Sequence, residues 1–203
     1  MDYIVELAVT FWQWSIVAAL VLIGLGINIA DRVFHKNVLK VRECEFSYDE
    51  LPHMQPIRIP TKDKGFFGAI WLWIMCVRNW TIMKDFYFTL NGEKYVIPAG
   101  FTFDGASVPK FLATFLSPVG VLLIGGLVHD YIYKYTVLVR KDKKSATTVM
   151  TQKQADIIFR DINIEQNGFH FLNYLAYWAL RLGGFVAWNG HRKRNCDWKD
   201  SIK

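Results

Sequence analysis

The sequence predicts an α+β protein that begins with an N-terminal transmembrane helix and continues as a small domain with a β-hairpin or small sheet and about three packed helices. Three observations lead to this prediction: an uncharged apolar run near the N-terminus, a hairpin pattern between residues 81 and 103, and three helical segments beyond residue 118. A chain of 203 residues with 52% hydrophobic content is long enough for one compact domain and an accessory segment.

The predicted membrane anchor occupies residues 1–30, and its apolar part, residues 7–30, holds 24 residues without a charge. At about 1.5 Å per residue, a helix of this length crosses a hydrocarbon core of about 30 Å. Trp12 and Trp14 lie near one end, as interfacial anchors do. A cleavable signal peptide is the alternative, but the acidic start and the length of the apolar run argue against it.

Basic residues follow the apolar run, at Arg32, Lys36, Lys40 and Arg42, and none precedes it. The positive-inside rule then predicts a single-pass membrane protein with its N-terminus outside and its body in the cytoplasm. Membrane lipids are the expected partners of such a protein.

The formal charge of +6 is concentrated near residues 32–42, 140–144 and 191–203. By charge alone these zones suit anionic lipid headgroups or nucleic acid, and the neighbouring apolar run favours lipid. The basic residues are not interleaved with aromatic residues on one predicted face, so no nucleic-acid partner is expected. The three cysteines are widely spaced and form no C-x-x-C pair, which argues against a zinc finger or a disulfide framework.

Residues 31–80 are predicted as a linker followed by an apolar segment. Three prolines, Pro52, Pro56 and Pro60, indicate an extended lead-in over residues 53–60. Residues 66–77 are apolar on all sides but too short to cross a bilayer as a helix. They predict a buried element, or else a segment that lies in the headgroup region.

An α+β domain is predicted over residues 81–190, with a basic tail at 191–203. The Asn91-Gly92 pair between two runs of aromatic and β-branched residues predicts a β-hairpin. Residues 119–135 then predict a central helix with Ser117 as its N-cap and Pro118 at its first position.

Two further helices are predicted after the central one. Thr151 and Gln154 form a capping-box pattern at the start of the second helix, which Gly168 ends. Residues 169–188 predict a third helix. Because Arg181 lies in its interior, a second membrane span is too costly, and a core helix or one on a bilayer surface is expected.

The central helix carries the sharpest chemical feature. At 3.6 residues per turn, Gly125, His129 and Tyr133 share one face, and Asp130 lies beside it. An imidazole on a rigid helix can take a proton from water, and an adjacent carboxylate can hold a metal ion. The alternative is a buried histidine that is satisfied by one structural partner.

Asp156 lies early on the second predicted helix. If the two helices pack antiparallel, Asp156 faces His129 and accepts a hydrogen bond from one ring nitrogen, which leaves the other free as a base. The alternative is an acidic residue that favours the helix dipole. In the loop before the central helix, Asp104 is a candidate additional metal ligand and Ser107 a candidate substrate contact, although both also suit a turn.

These motifs resemble two families. The pattern H-D-x-x-Y at 129–133 followed by A-D-x-x-F at 155–159 resembles the phospholipase A2 superfamily. This resemblance implies that His129 is the general base, Asp130 a calcium ligand, Asp156 the acceptor that orients His129, and Tyr133 a support of that network. The Y-x-G-x-G calcium loop of those enzymes is absent from this sequence.

A second resemblance covers residues 87–188. The string VIPAGFTFDGASVP at 96–109, the H-D-Y-I-Y string and the A-D-x-x-F string are similar to those of a domain family of unknown function common in phages and prophages. Phe103 replaces the threonine usual in that family. The resemblance implies a phage or prophage setting, with phage or membrane proteins as partners, and no particular reaction.

Two functions from different classes follow. The first is a membrane-tethered hydrolase in which His129 activates water against a lipid ester, helped by Asp130 and Asp156, with calcium as the cofactor that the phospholipase resemblance implies. The second is a non-catalytic membrane or virion component, in which the same side chains form a buried network that fixes helix packing.

Overall fold

The computed structural model describes residues 12–38, 44–58, 61, 63–75, 79–104 and 122–202. These residues form a mixed α+β structure with six α-helices and two β-sheets. The predicted α+β class of the domain is therefore present, whereas the predicted transmembrane helix is not.

Seven short strands build the two antiparallel sheets. The strands are β1 (Phe46–Tyr48), β2 (Met54–Pro56), β3 (Trp80–Ile82), β4 (Phe86–Leu90), β5 (Glu93–Ile97), β6 (Thr102–Phe103) and β7 (Val139–Arg140). One sheet has the order β1-β4-β5-β7, and the other has the order β2-β3-β6. Strands β1 and β2 lie in the stretch that the sequence suggests is a linker.

The predicted hairpin is confirmed as β4 and β5. Asn91 and Gly92 both have positive φ angles, 51° and 79°, which the tight turn between right-twisted strands requires. Phe86 and Phe88 flank the exposed Tyr87 and are each only 2% exposed. One face of this sheet therefore packs on the helices and supports them.

The helices are α1 (Trp12–Val38), α2 (Gly65–Met75), α3 (Leu123–Tyr135), α4 (Gln152–Asn167), α5 (His170–Gly183) and α6 (Phe185–Lys193). α3 packs against α4 and α6, α4 packs against α5, and α5 packs against α1. A 3₁₀ turn, Trp198–Ile202, lies in the segment predicted as a basic tail, and its Ser201 Oγ is 2.8 Å from the Tyr131 hydroxyl.

The ends of the central helices show which local signals govern them. α4 begins with the predicted capping box, in which Thr151 and Gln154 satisfy each other's backbone N–H groups, and it ends at Gly168 in a left-handed conformation (φ 69°). α3 begins at Leu123 with Leu122 at the N-cap. The cap predicted at Ser117 lies outside the described residues.

The prediction of an N-terminal transmembrane helix is wrong. Among the residues that the structure describes, no helix is long and apolar enough to cross a membrane. The apolar part of α1 continues into a polar part with Asp31 and Arg32, and Asp31 Oδ1 accepts a hydrogen bond from the Phe171 N–H at 2.9 Å. The prediction of a single-pass membrane protein depended on that transmembrane helix, so it is wrong as well. The uncharged run begins at residue 7, and residues 1–11 lie outside the described part.

Residues 66–75 of the predicted apolar segment lie in α2, and their described side chains are not buried. Phe66, Phe67 and Trp71 are exposed to solvent, so the prediction of a buried element is wrong for these residues. Sequence hydrophobicity reports what a side chain prefers, whereas burial also needs a partner surface at the right place.

α3 and α4 run antiparallel and approach closely at Gly125. A Cβ on Gly125 would lie 2.6 Å from Cγ of the Asn163 side chain, which is far inside van der Waals contact. Further along the pair, His129 meets Asp156 and Tyr133 meets Gln152. The missing side chain at Gly125 therefore lets the two helices come close enough for these polar contacts.

We expect Gly125→Ala to lower the free energy of unfolding by about 1–3 kcal/mol, because the added methyl group overpacks the helix contact. Gly183→Ala is the matched control, since nothing lies within 4 Å of a Cβ there and alanine favours helix. Urea denaturation measures both. Equal stability of Gly125→Ala and the wild-type chain would contradict the close approach.

Candidate functional site

The centre of the candidate site is the carboxylate of Asp156, which has 0% exposure. Its Oδ1 accepts hydrogen bonds from His129 Nε2 at 3.0 Å and from the Tyr133 hydroxyl at 2.7 Å. Its Oδ2 accepts from Arg181 Nη1 at 2.6 Å. Three donors from α3 and α5 therefore compensate one buried negative charge on α4.

The His129 ring is 3% exposed, and each of its nitrogens faces a carboxylate. Because an ionised carboxylate only accepts hydrogen bonds, the bond to Asp156 places a proton on Nε2. Nδ1 then lies towards Asp130, whose Oδ1 is 3.5 Å away. In neutral His129 the lone pair of Nδ1 is therefore on the Asp130 side, which is the tautomer that a general base needs.

Aromatic rings hold the imidazole in this orientation. The Tyr133 ring centroid is 3.9 Å from that of His129, and the Phe159 ring meets it edge-on at 5.3 Å. Gln152 Nε2 donates to the Tyr133 hydroxyl at 3.2 Å, which fixes the direction of the tyrosine proton towards Asp156.

The pKa of His129 is raised. Burial of the ring lowers it, but contacts with Asp130 and Asp156 and their negative charges outweigh burial. Burial also raises the pKa of Asp130 to about 7, with the charge of Asp104 acting in the same direction and contact with His129 opposing it. Burial and the hydrogen bond to Asp156 raise the pKa of the Tyr133 hydroxyl, so this side chain stays a neutral donor.

Asp130 is the best-placed residue for a cation. Its Oδ2 is buried and has no hydrogen-bond partner among the described residues, and Asp104 is near enough for its charge to raise the pKa of Asp130. Two hard carboxylate oxygens suit calcium. Within the described part of the chain, however, there is no group of three or more His, Cys, Asp or Glu side chains that could hold a metal ion.

The structure brings together most of the residues that the sequence singles out. His129, Tyr133 and Asp156 form one hydrogen-bonded group, and Asp130 lies at its edge beside Asp104. Ser107 lies outside the described residues. The predicted contact between His129 and Asp156 is confirmed, while the catalytic and metal-binding roles of these residues stay predictions.

Sequence reasoning missed three contributors. Arg181 donates to Asp156, Gln152 donates to Tyr133, and the fully buried Asn163 has both amide atoms without a hydrogen-bond partner among the described residues. Arg181 had a usable signal, because a charged residue inside an apolar helix needs a buried partner. Gln152 and Asn163 had none, since amides are common on helix surfaces.

The fold and site define an α+β domain organised around a buried histidine–carboxylate network. Residues 80–180 match the model of a family described as "Protein of unknown function (DUF1353)". This match over residues 80–180 confirms, in coarser form, the sequence-based expectation of a domain of unknown function. No curated protein matches the chain, and no solved structure matches it.

We expect the free energy of unfolding to fall as pH rises from 5 to 8, by roughly 2–3 kcal/mol from Asp130 alone. The raised pKa of about 7 means that the folded state holds a proton which the unfolded state has already lost. Stability is therefore complete below the ordinary carboxyl pKa and is lost as pH rises through 7. The raised pKa of His129 acts with the same sign.

Urea titrations in EDTA at several pH values measure this slope. Asp130→Asn removes the titrating carboxyl group and should flatten the slope, whereas Asp142→Asn on an exposed turn should leave it unchanged. A slope that is the same in Asp130→Asn as in the wild-type chain would contradict the assignment to Asp130.

Proposed function

We propose that the chain is an ester hydrolase of the phospholipase A2 type, in which His129 acts as the general base for water. The observation that carries the proposal is the hydrogen bond from His129 Nε2 to a fully buried Asp156. It favours the tautomer in which Nδ1 accepts a proton, and it stabilises the imidazolium that forms when water is deprotonated.

The other residues support this assignment through position. Tyr133 and Arg181 hold the Asp156 carboxylate from two further directions, so its orientation does not depend on the histidine. Asp156, Tyr133 and Arg181 are positioning residues in this proposal, because each acts through His129. Asp156 compensates the positive charge that His129 gains, which lowers the barrier to proton removal.

Calcium is the proposed cofactor, and Asp130 and Asp104 would hold it. The buried Oδ2 of Asp130, which has no hydrogen-bond partner within the described part of the chain, and the nearby charge of Asp104 fit a hard cation. When bound, the ion would supply a positive charge that polarises a substrate carbonyl oxygen. The resemblance of the motifs also supports a phage or prophage setting, with lipid esters as the substrate class.

A buried packing network is the second candidate function. The 3% exposure of His129 and the engagement of both ring nitrogens by carboxylates favour it. In that case the network would specify how α3, α4 and α5 pack together, and the chain would act as a binding or structural component.

We expect purified protein to release fatty acid from phospholipid, and His129→Gln to lower kcat/KM by about 10²–10⁴-fold. Because the base must be unprotonated, activity should rise with pH through the raised pKa of His129. The assay measures released fatty acid with calcium and with EGTA. His53→Gln is the matched control, since His53 is an exposed residue. Release that is equal in the wild-type chain and His129→Gln would refute the hydrolase proposal.

We expect Asp156→Asn to lower kcat/KM by about 10–100-fold at temperatures where the variant is still folded, because the amide loses the charge that fixes the His129 tautomer. The melting temperature should fall as well, because the amide nitrogen would face one of the donors from which the carboxylate accepts. Parallel activity and thermal-unfolding measurements separate the two candidates. Loss of stability with no activity in any variant would support the packing network. Asp142→Asn on the exposed turn is the control, because it makes the same Asp-to-Asn change in charge away from the site.

A further inference from the structure

α5 and α6 form a nearly continuous helix with two distinct faces. Gly184, between them, has helical angles (φ −64°, ψ −19°). Its N–H donates to the Leu180 carbonyl at 2.7 Å, and the Trp188 N–H donates to the Gly184 carbonyl at 2.9 Å. The spacing of side chains therefore follows one helical period from His170 to Lys193.

The inner face of this helix forms a wall of the candidate site. Arg181 reaches Asp156, and the Trp188 ring meets the Tyr133 ring edge-on at 5.1 Å. Arg192 donates to the backbone carbonyls of Tyr133 and Lys134 at 2.6 and 2.8 Å, where they end α3. This face is fixed to the domain by polar contacts.

The outer face carries large apolar side chains in contact with solvent. Trp178, Leu182, Phe185 and Val186 are 43%, 81%, 52% and 66% exposed. At about 100° per residue they fall within an arc of roughly 100°, the width of a helix face that buries itself against a partner. We call these four residues the outer stripe. Contiguous exposed apolar surface of this kind marks an interaction site.

Charge indicates what the outer stripe contacts. Lys193 continues the same arc two turns beyond Val186, and Arg194 follows it directly in the chain; both side chains are exposed. The whole chain carries a formal charge of +6. An apolar stripe with tryptophan and phenylalanine that ends in basic residues complements both the acyl chains and the anionic headgroups of a bilayer.

A second copy of the chain complements this surface less well. In a symmetric pair, the basic residues beyond the stripe would meet either the same basic residues or the apolar stripe of the other copy. Neither arrangement neutralises the charge, whereas phosphate headgroups do.

We propose that the outer stripe and Lys193 seat the domain on the surface of an anionic lipid bilayer. This proposal rests on the proposed function, because a hydrolase of lipid esters in a bilayer has to reach the bilayer surface. A helix is about 10–12 Å across, and the inner face of the same helix holds Asp156. Docking therefore brings the lipid surface to within roughly one helix diameter of the His129–Asp156 pair.

The first experiment measures co-sedimentation of the full chain with phosphatidylcholine vesicles, with and without phosphatidylserine. Leu182→Ser/Phe185→Ser should lower partitioning onto vesicles at least tenfold, because two large apolar contacts are lost. Leu51→Ser/Val149→Ser is the matched control and should have no effect, since these two apolar residues are 63% and 76% exposed and lie outside the stripe.

The contribution of charge is tested in the same assay. Lys193→Glu/Arg194→Glu should lower binding to vesicles that contain phosphatidylserine at least tenfold and change binding to pure phosphatidylcholine much less. Lys141→Glu/Lys144→Glu, an exposed pair on the connector before α4, makes the same change in net charge elsewhere. Equal loss in the two pairs would show a net-charge effect and overturn the docking surface.

A site-specific measurement is needed because α1 also exposes apolar side chains. In a chain whose native cysteines are replaced by serine, a polarity-sensitive fluorophore on Leu182→Cys should shift to the blue when vesicles are added, and the same label on Val149→Cys should not shift. Binding without a shift at position 182 would overturn the proposal. Light scattering provides a second check. If Leu182→Ser/Phe185→Ser has a different molecular mass from the wild-type chain but binds vesicles equally well, the stripe is an interface between copies and the proposal is overturned.

Failure of this proposal is distinguishable from failure of the proposed function. Vesicle binding requires no turnover and is measured equally well in His129→Gln. Conversely, hydrolysis of a monomeric, water-soluble short-chain phospholipid requires no surface, so the stripe variants should hydrolyse it at the wild-type rate.

Discussion

A carboxylate that is removed from water must be compensated by donors, and Asp156 is where this requirement organises the domain. α4 supplies the acid, α3 supplies His129 and Tyr133, and α5 supplies Arg181. Each donor comes from a helix that also contributes apolar side chains to the packing, so the polar contacts and the hydrophobic contacts specify the same arrangement. If one donor were removed, the buried charge of Asp156 would be only partly compensated by the remaining two.

Close helix packing is the condition for this network. Gly125 carries no side chain where α3 meets Asn163, and Gly184 carries none where the α5–α6 helix meets the Tyr133 hydroxyl. At both places a methyl group would overlap a polar side chain of the facing helix, Asn163 or Tyr133, which would have to move. The hydrogen bonds to Asp156 are short contacts of 2.6–3.0 Å, and they persist only at this spacing. The absence of side chains at these two glycines thus leaves room for the hydrogen-bonded contacts around Asp156.

The arrangement also links a surface to the site. The helix formed by α5 and α6 has Arg181 and Trp188 on its inner face and exposed apolar side chains on its outer face. Whatever contacts the outer face lies one helix away from His129. This geometry gives a physical reason for a basic, aromatic helix at the end of a domain whose central residues are a histidine and two acids.

Local signals in the sequence were sufficient for the elements whose stability is local. The Asn91-Gly92 turn, the capping box at Thr151 and the stop at Gly168 are all present, because each depends on backbone angles and on hydrogen bonds between neighbours. The pairing of His129 with Asp156 was predictable as well, since helical periodicity places the two side chains opposite each other if the helices pack antiparallel.

Hydrophobic content alone misled in two places. It predicted a transmembrane helix at the N-terminus and a buried element at residues 66–77. No described helix is long and apolar enough to cross a membrane, and the described side chains of α2 include exposed aromatic residues such as Phe67. Hydrophobicity gives the preference of a side chain, but which surface meets it depends on packing across the whole chain.

The sequence by itself determined the hairpin and the ends of α4, because these depend on interactions between residues close in the chain. The pairing of His129 with Asp156 was predicted from helical periodicity on the condition that α3 and α4 pack antiparallel, which the tertiary structure supplies. Only the tertiary structure decided that Arg181 completes the Asp156 network, that both nitrogens of His129 face carboxylates, and that Asp130 keeps a buried oxygen without a partner among the described residues. These features depend on the distances between separate helices. Such distances follow from side-chain volume at the contacts, as at Gly125, and no local pattern encodes them.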